Sequence, residues 1–124
     1  MSPATAPLPL STPDLFDPAL GGAEGEADLR AVMQKYVGVI RSGAGLADAL
    51  ASFAALEASA SNIEVRNMAT AALLIAASAY ARTESRGGHF RSDFPKADPA
   101  QAHRSFMTLI EARRIAARAN AKAA

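Results

Sequence analysis

Ser61-Asn62-Ile63-Glu64-Val65-Arg66-Asn67-Met68-Ala69-Thr70-Ala71-Ala72-Leu73-Leu74-Ile75-Ala76-Ala77-Ser78-Ala79-Tyr80-Ala81 is the stretch that decides the fold. Ser61 followed three residues later by Glu64 reads as a capping box, in which the hydroxyl and the carboxylate each satisfy one orphan amide of a helix start. Val65, Met68, Ala72, Ile75, Ala76 and Ala79 then keep helical spacing, and Leu73, Leu74 and Tyr80 widen the apolar stripe. A helix apolar on nearly all sides is buried on nearly all sides. The stretch is therefore expected to be the central helix of an all-α bundle, with its alanines allowing close neighbours.

Upstream, Leu29, Val32, Met33, Tyr36, Val37 and Ile40 keep the same period and predict a helix over 26–41. Gly38 within it suggests a close neighbouring helix, and Gly43 a stop. Leu46, Leu50, Phe53 and Leu56 predict a second helix over 45–58. The short link between the two predicts an antiparallel hairpin. Residues 1–25 carry Pro3, Pro7, Pro9, Pro13 and Pro18, which forbid a continuous helix. They are expected to be a linker or extended arm that Leu15 and Phe16 pin locally, leaving 26–124 as the helical domain.

Downstream, Glu84-Ser85-Arg86-Gly87-Gly88-His89-Phe90-Arg91-Ser92-Asp93-Phe94-Pro95 is the one place where chemistry is dense. Gly87 and Gly88 are expected to end the central helix, and Pro95 to prevent a quick return to helix. The segment reads as an ordered turn and extended strand, with Phe90 and Phe94 on one side and Arg91 and Asp93 on the other. Asp98-Pro99, with Gln101 completing the box, predicts the start of a fourth helix over 98–120. Its expected stripe is Ala102, Phe106, Leu109 and Ile110. The expected architecture is an antiparallel three-helix bundle over 26–85, a turn over 84–95 and a terminal helix.

Composition bounds the function. The 124 residues suit one domain, and their formal charge of +1 supplies no global field for nucleic acid or an anionic membrane. With no cysteine, disulfides and thiolate metal sites are excluded. No lysine or arginine precedes Arg30, so no basic signal-peptide region is present. The longest apolar run, 68–81, is shorter than the ~20 residues a bilayer span needs. No membrane segment is expected, and a cytoplasmic location fits.

Three separated motifs are similar to the C-terminal region of the L-aspartate oxidases, within the succinate dehydrogenase and fumarate reductase flavoprotein family. They are Leu29 and Met33 with Val37-Gly38-Val39-Ile40-Arg41 and Gly45-Leu46; Val65-Arg66-Asn67-Met68; and Glu84 to His89 with Arg91, Asp93 and Pro95. The resemblance implies a C-terminal helical domain that braces flavin-binding and capping domains lying upstream. It implies FAD in the full-length parent, which would oxidise L-aspartate to iminoaspartate for NAD biosynthesis, and no cofactor in this chain alone. A succinate dehydrogenase or fumarate reductase flavoprotein subunit is the alternative within the family. Such chains usually continue past the proline with tryptophan, and this one has none. A stand-alone helical interaction module is the alternative outside it.

Of the candidate constellations, Arg86, His89 and Arg91 beside the Gly87-Gly88 turn could clamp an anion, or Glu84, Arg86, Arg91 and Asp93, with Ser85 and His89 among them, could pair with one another or dock a domain. Arg66 and Asn67 could dock a flavin-bearing domain or form a solvated helix start. All eight are carried forward as domain-docking candidates. His89 with His103 lacks the companions a metal site needs. Arg113, Arg114, Arg118 and Lys122 lack the interleaved aromatics of a nucleic-acid surface and read as a solvated helix end. No nucleophile–base arrangement or dinucleotide fingerprint is present, so no catalytic, cofactor-binding or metal residue is assigned.

Overall fold

The computed structural model describes residues 22–123. The arm expected over 1–25 lies outside them as far as residue 21, and the remainder of it is helical. The fold is all-α as expected. Helix α1 spans Gly22–Tyr36, α2 Gly43–Ser59, α3 Ile63–Ala81 and α4 Leu109–Ala123. Two short strands, β1 (Ile40–Arg41) and β2 (Phe90–Arg91), and a 3-10 turn over Pro99–Gln101 complete the described elements.

Helices α2 and α3 share the centre. Each packs on the other, on α1 and on α4, so α4 belongs to the bundle instead of trailing after it. Leu46, Ala49, Leu50 and Phe53 turn one face of α2 inward at helical spacing. Val65, Ala69, Ala72, Leu73, Ala76, Ala77 and Ala79 do the same for α3. From α4 come Ala112, Ala116 and Ala119. The core is a few leucines and one phenylalanine set among alanines, and the small side chains let the helix backbones approach.

Several helix bounds differ from the sequence expectation. Helix α1 stops at Tyr36, five residues early, where the Val37 amide donates to the Met33 carbonyl at 2.9 Å. Gly38 therefore lies outside it. Val37 stays buried, but Val39 is 83% and Ile40 68% exposed. The apolar run 37–40 keeps a helical period yet is rich in β-branched residues, which suit a strand. Ile40 and Arg41 pair in parallel with Phe90 and Arg91. Gly43 begins α2 and does not end α1, with the Ser42 hydroxyl accepting from the Gly45 amide at 3.1 Å.

Asn62, not Ser61, caps α3, its side-chain oxygen accepting from the Glu64 and Val65 amides at 2.9 and 3.2 Å. Ile75, expected in the core, is 47% exposed. Asp98 caps only a single 3-10 turn, accepting from the Ala100 amide at 3.0 Å, and the expected box does not close: Gln101 donates to the Asp98 carboxylate, while the Asp98 amide donates to Glu84. The chain then runs without helix until Thr108, whose hydroxyl accepts from the Glu111 amide at 3.2 Å to start α4. Phe106 and Ile110 are 82% and 62% exposed, so the stripe expected of them is not the buried one.

Candidate functional site: the charged turn after α3

Helix α3 closes at Ala81, before the glycines. Gly87 and Gly88 instead form the two-residue tip of a tight hairpin. The Arg86 amide donates to the His89 carbonyl at 2.8 Å, and the His89 amide returns to Arg86 at 3.0 Å. Gly87 has φ of +58°, the left-handed region that favours glycine, at the first central position of the turn. A second tight turn follows, where the Phe94 amide donates to the Arg91 carbonyl at 3.1 Å. The Ser85 hydroxyl ties the two turns together. It accepts from the Arg91 amide at 2.9 Å and donates to the Phe94 carbonyl at 2.8 Å.

Two ion-pair networks lie inside these turns. Glu84 is fully buried. Its carboxylate accepts from Arg82, from Arg86 at 3.1 Å and from the Asp98 amide at 2.8 Å. The Arg86 guanidinium, then the Asp98 amide and Arg82, hold its pKa down to about 2 against burial, which works the other way. In chain order Arg82, Glu84 and Arg86 alternate along an extended segment, so the three side chains share one face. That i, i+2, i+4 pattern was legible, yet Arg82 was not among the candidates.

Arg91 is 2% exposed and anchors the other network. It donates to the Asp93 carboxylate through two nitrogens, at 2.9 and 2.8 Å. A third nitrogen donates to the carbonyls of Ala79 and Tyr80 in the last turn of α3, at 3.1 and 2.8 Å. Its guanidinium lies 5.1 Å from the Phe94 ring centre and 5.8 Å from that of Tyr80. The Asp93 carboxylate in turn accepts from the Gly43 amide at 3.0 Å, at the start of α2. One ion pair thus joins the negative end of α3 to the positive end of α2. The Asp93 pKa is lowered, first by Arg91 and further by the Gly43 amide.

These contacts revise the expected two-sided strand. Phe94 stands over the arginine it was expected to oppose, because the chain turns between Arg91 and Phe94. Of the remaining candidates, His89 contacts Arg41 through Nδ1 at 2.9 Å and the Arg82 carbonyl through Nε2 at 3.1 Å. Arg66 and Asn67 are exposed on the first turn of α3, away from the cluster in sequence, and Arg66 donates to the Ala60 carbonyl at 2.9 Å.

The turn is built differently from a dinucleotide cradle. It is closed by the backbone bonds between Arg86 and His89, Arg82 and Arg86 share the Glu84 carboxylate, and Arg91 is paired with Asp93. Both strands are two residues long, and no strand–glycine loop–helix unit occurs among the described residues. Nor is there a group of three or more histidine, aspartate or glutamate side chains placed for a metal among them. No described helix is long and apolar enough to cross a membrane. What the arrangement does is mechanical: it locks the ends of α2 and α3 together and holds a stiff loop on the bundle surface.

The described residues thus form a small all-α domain that carries an ordered, internally bonded surface turn. The chain belongs to the family described as the fumarate reductase flavoprotein C-terminal region, whose model matches residues 26–66 and 60–120. It is 50% identical to an L-aspartate oxidase of Rhodospirillum rubrum over 99 residues, 78% of this chain and 36% of that relative. It is 44% identical to the L-aspartate oxidase of Caulobacter vibrioides over 78% of this chain and 17% of the relative. An uncharacterised FAD-dependent oxidoreductase of Methanocaldococcus jannaschii is 40% identical over 56% of the chain. The chain thus spans about a third or less of these relatives' lengths. No solved structure gives a significant match.

Proposed function

We propose that this chain is the C-terminal helical domain of an FAD-dependent L-aspartate oxidase, and that it braces the flavin-bearing part without supplying a catalytic group. The observation that carries the reading is the 50% identity to the Rhodospirillum rubrum L-aspartate oxidase across most of the chain. The parent would oxidise L-aspartate to iminoaspartate for NAD biosynthesis in the cytoplasm, its FAD supplying the redox chemistry. This chain's part is positional. Glu84, Ser85, Arg91 and Asp93 stiffen the surface turn, Arg86 and His89 lie at its rim, and Arg66 and Asn67 offer polar groups at the start of α3. Together they form the docking region for the flavin-binding and capping domains. Nucleic acid and membrane have no place in this reading.

The test compares two proteins. The full-length parent that contains this domain is expected to purify with FAD and to form iminoaspartate from L-aspartate. Residues 1–124 alone are expected to do neither, even with FAD added. Stoichiometric flavin uptake by residues 1–124, or a full-length parent without flavin, overturns the reading.

A further inference from the structure

Arg82 and Arg86 share Glu84, and Arg91 has Asp93, but Arg41 beside them has no carboxylate within ion-pair distance among the described residues. Arg41 is half-buried and its direction is fixed. Its Nε donates to the Gly38 carbonyl at 3.1 Å, and one terminal nitrogen meets His89 Nδ1 at 2.9 Å. The Arg82 carbonyl, 3.1 Å from His89 Nε2, can only accept. So Nε2 carries the ring proton, and Nδ1 is left as the acceptor for Arg41. The other terminal nitrogen of Arg41 has no partner among the described residues. Arg41 and His89 stand on the wall of an open hollow of about 460 Å³, a size that suits small organic molecules. Leu74, Ile75 and Met107 give it an apolar lining, and Ser78 adds a hydroxyl with no protein partner among the described residues. Arg82 also lines it, and no described aspartate or glutamate does.

We propose that this hollow binds a small organic carboxylate that has an apolar body and no ammonium group. The carboxylate takes the free nitrogen of Arg41, with the Ser78 hydroxyl as a second donor, and the body lies on Leu74, Ile75 and Met107. Three features select that class. A guanidinium held in place before the ligand arrives suits a carboxylate and loses little freedom on binding it. The apolar lining selects against a small, fully hydrated anion such as inorganic phosphate, because few groups there replace the water it would lose. The lack of an acidic wall leaves the ammonium of an amino acid unpaired beside Arg41 and Arg82, so amino acids are disfavoured. The site consists of this chain's own residues, so the proposal goes beyond the flavoprotein reading and stands without it.

The experiment titrates residues 1–124, with methyl-labelled methionine, with phenylpropanoate as the probe. Three matched compounds each change one feature: L-phenylalanine adds the ammonium, phenylpropanol lacks the carboxylate, and inorganic phosphate lacks the apolar body. The Met107 methyl signal is expected to shift and saturate with a Kd on the order of 1 mM, while Met33 and Met68 stay in place. The matched compounds should bind about tenfold more weakly or worse. Added salt should weaken phenylpropanoate and leave phenylpropanol unchanged. Arg41→Gln should weaken phenylpropanoate about tenfold, and Arg114→Gln, at an exposed position outside the hollow, should leave it unchanged. Ile75 is 47% exposed, so Ile75→Glu tests the same wall without burying a charge, and it should abolish binding. If Arg41→Gln does not fold, Ile75→Glu decides. A Met107 signal that never saturates overturns the proposal. So do equal affinity for phenylpropanol, equal movement of Met33 and Met68, or an Ile75→Glu protein that still binds. The full-length parent is titrated last and should give the same Met107 response. No response there means that the hollow is covered in the longer protein, which also overturns the proposal.

Discussion

Arg91 serves three groups with one guanidinium. It terminates α3 by donating to two of its last carbonyls, holds Asp93 bidentately, and lies against the Phe94 ring. Its planar fork is needed for this, since a lysine ammonium cannot reach carbonyls and carboxylate in one plane. Arg91→Met should cost about 3–5 kcal/mol in urea denaturation, because it leaves a carboxylate and helix carbonyls without their donor. Arg91→Lys should recover little of that. An Arg91→Met protein as stable as the parent would mean that water replaces the arginine freely. Glu84 is the companion case. It is buried among two guanidiniums and an amide, and in Glu84→Gln one of its oxygens becomes a donor facing donors, so the melting midpoint at pH 7 should fall.

At the scale of elements, Gly43 and the alanines set how closely backbones approach. A Cβ at Gly43 would sit 2.6 Å from Asp93 Oδ2 and 3.0 Å from an Arg91 nitrogen. Those atoms are ends of side chains, but both are held in the ion pair that joins α2 to α3. Gly43→Ala should therefore lower the melting midpoint despite alanine's better helix propensity, and Asp93→Ala added to it should bring little further loss. Additive losses would show that the methyl group acts elsewhere. Ala76 is fully buried in α3 and Ala71 is exposed on the same helix. Ala76→Leu should cost about 1–3 kcal/mol through overpacking. Ala71→Leu should stay within about 0.5 kcal/mol. Chemical denaturation of the pair checks whether the α2, α3 and α4 contacts are as tight as their alanines allow.

Across the molecule, Glu57, Glu84, Asp93 and Asp98 all have lowered pKa values. Arg113 is the main cause at Glu57, Arg86 at Glu84, Arg91 at Asp93 and the Gln101 side chain at Asp98. A carboxylate whose folded pKa lies below its unfolded one contributes stability that is present above the unfolded value and is lost as pH falls through the folded value. For Glu84 that window runs from about 4.5 down to about 2. The melting midpoint should accordingly hold near neutral pH and fall through this range, and Glu84→Gln should flatten the acid limb. A midpoint that rises on acidification would contradict the ion-pair account. Glu57 extends the same linkage across the bundle, since it accepts from Arg113 of α4 and from Thr70 of α3. Because of it, the basic stretch at the chain end, which reads as a solvated helix end, includes a tie between α2 and α4.

The periodicity of Leu46, Leu50 and Phe53 and of Val65, Ala72 and Ala76 determined the two central helices, because one buried face per helix is a local property of sequence. Gly87, Gly88 and Pro95 among the charges of 84–93 likewise determined that an ordered charged turn would follow, and the Arg66-Asn67 and Glu84–His89 motifs pointed to the family. Three things were settled only in three dimensions. The run 37–40 has a helical period, but Ile40 pairs with Phe90, and a ladder between residues 50 positions apart leaves no local trace. The buried face of α4 is Ala112, Ala116 and Ala119, and alanine is equally at home inside or outside, so Phe106 and Ile110 drew the eye to the wrong face. The charges of Glu84, Arg86, Arg91 and Asp93 could be shared within the chain or offered to a partner. That choice depended on where α2 begins relative to the end of α3, since Gly43 and Tyr80 present the amide and carbonyl that complete the ion pair, and only the packing of the two helices brings those ends together.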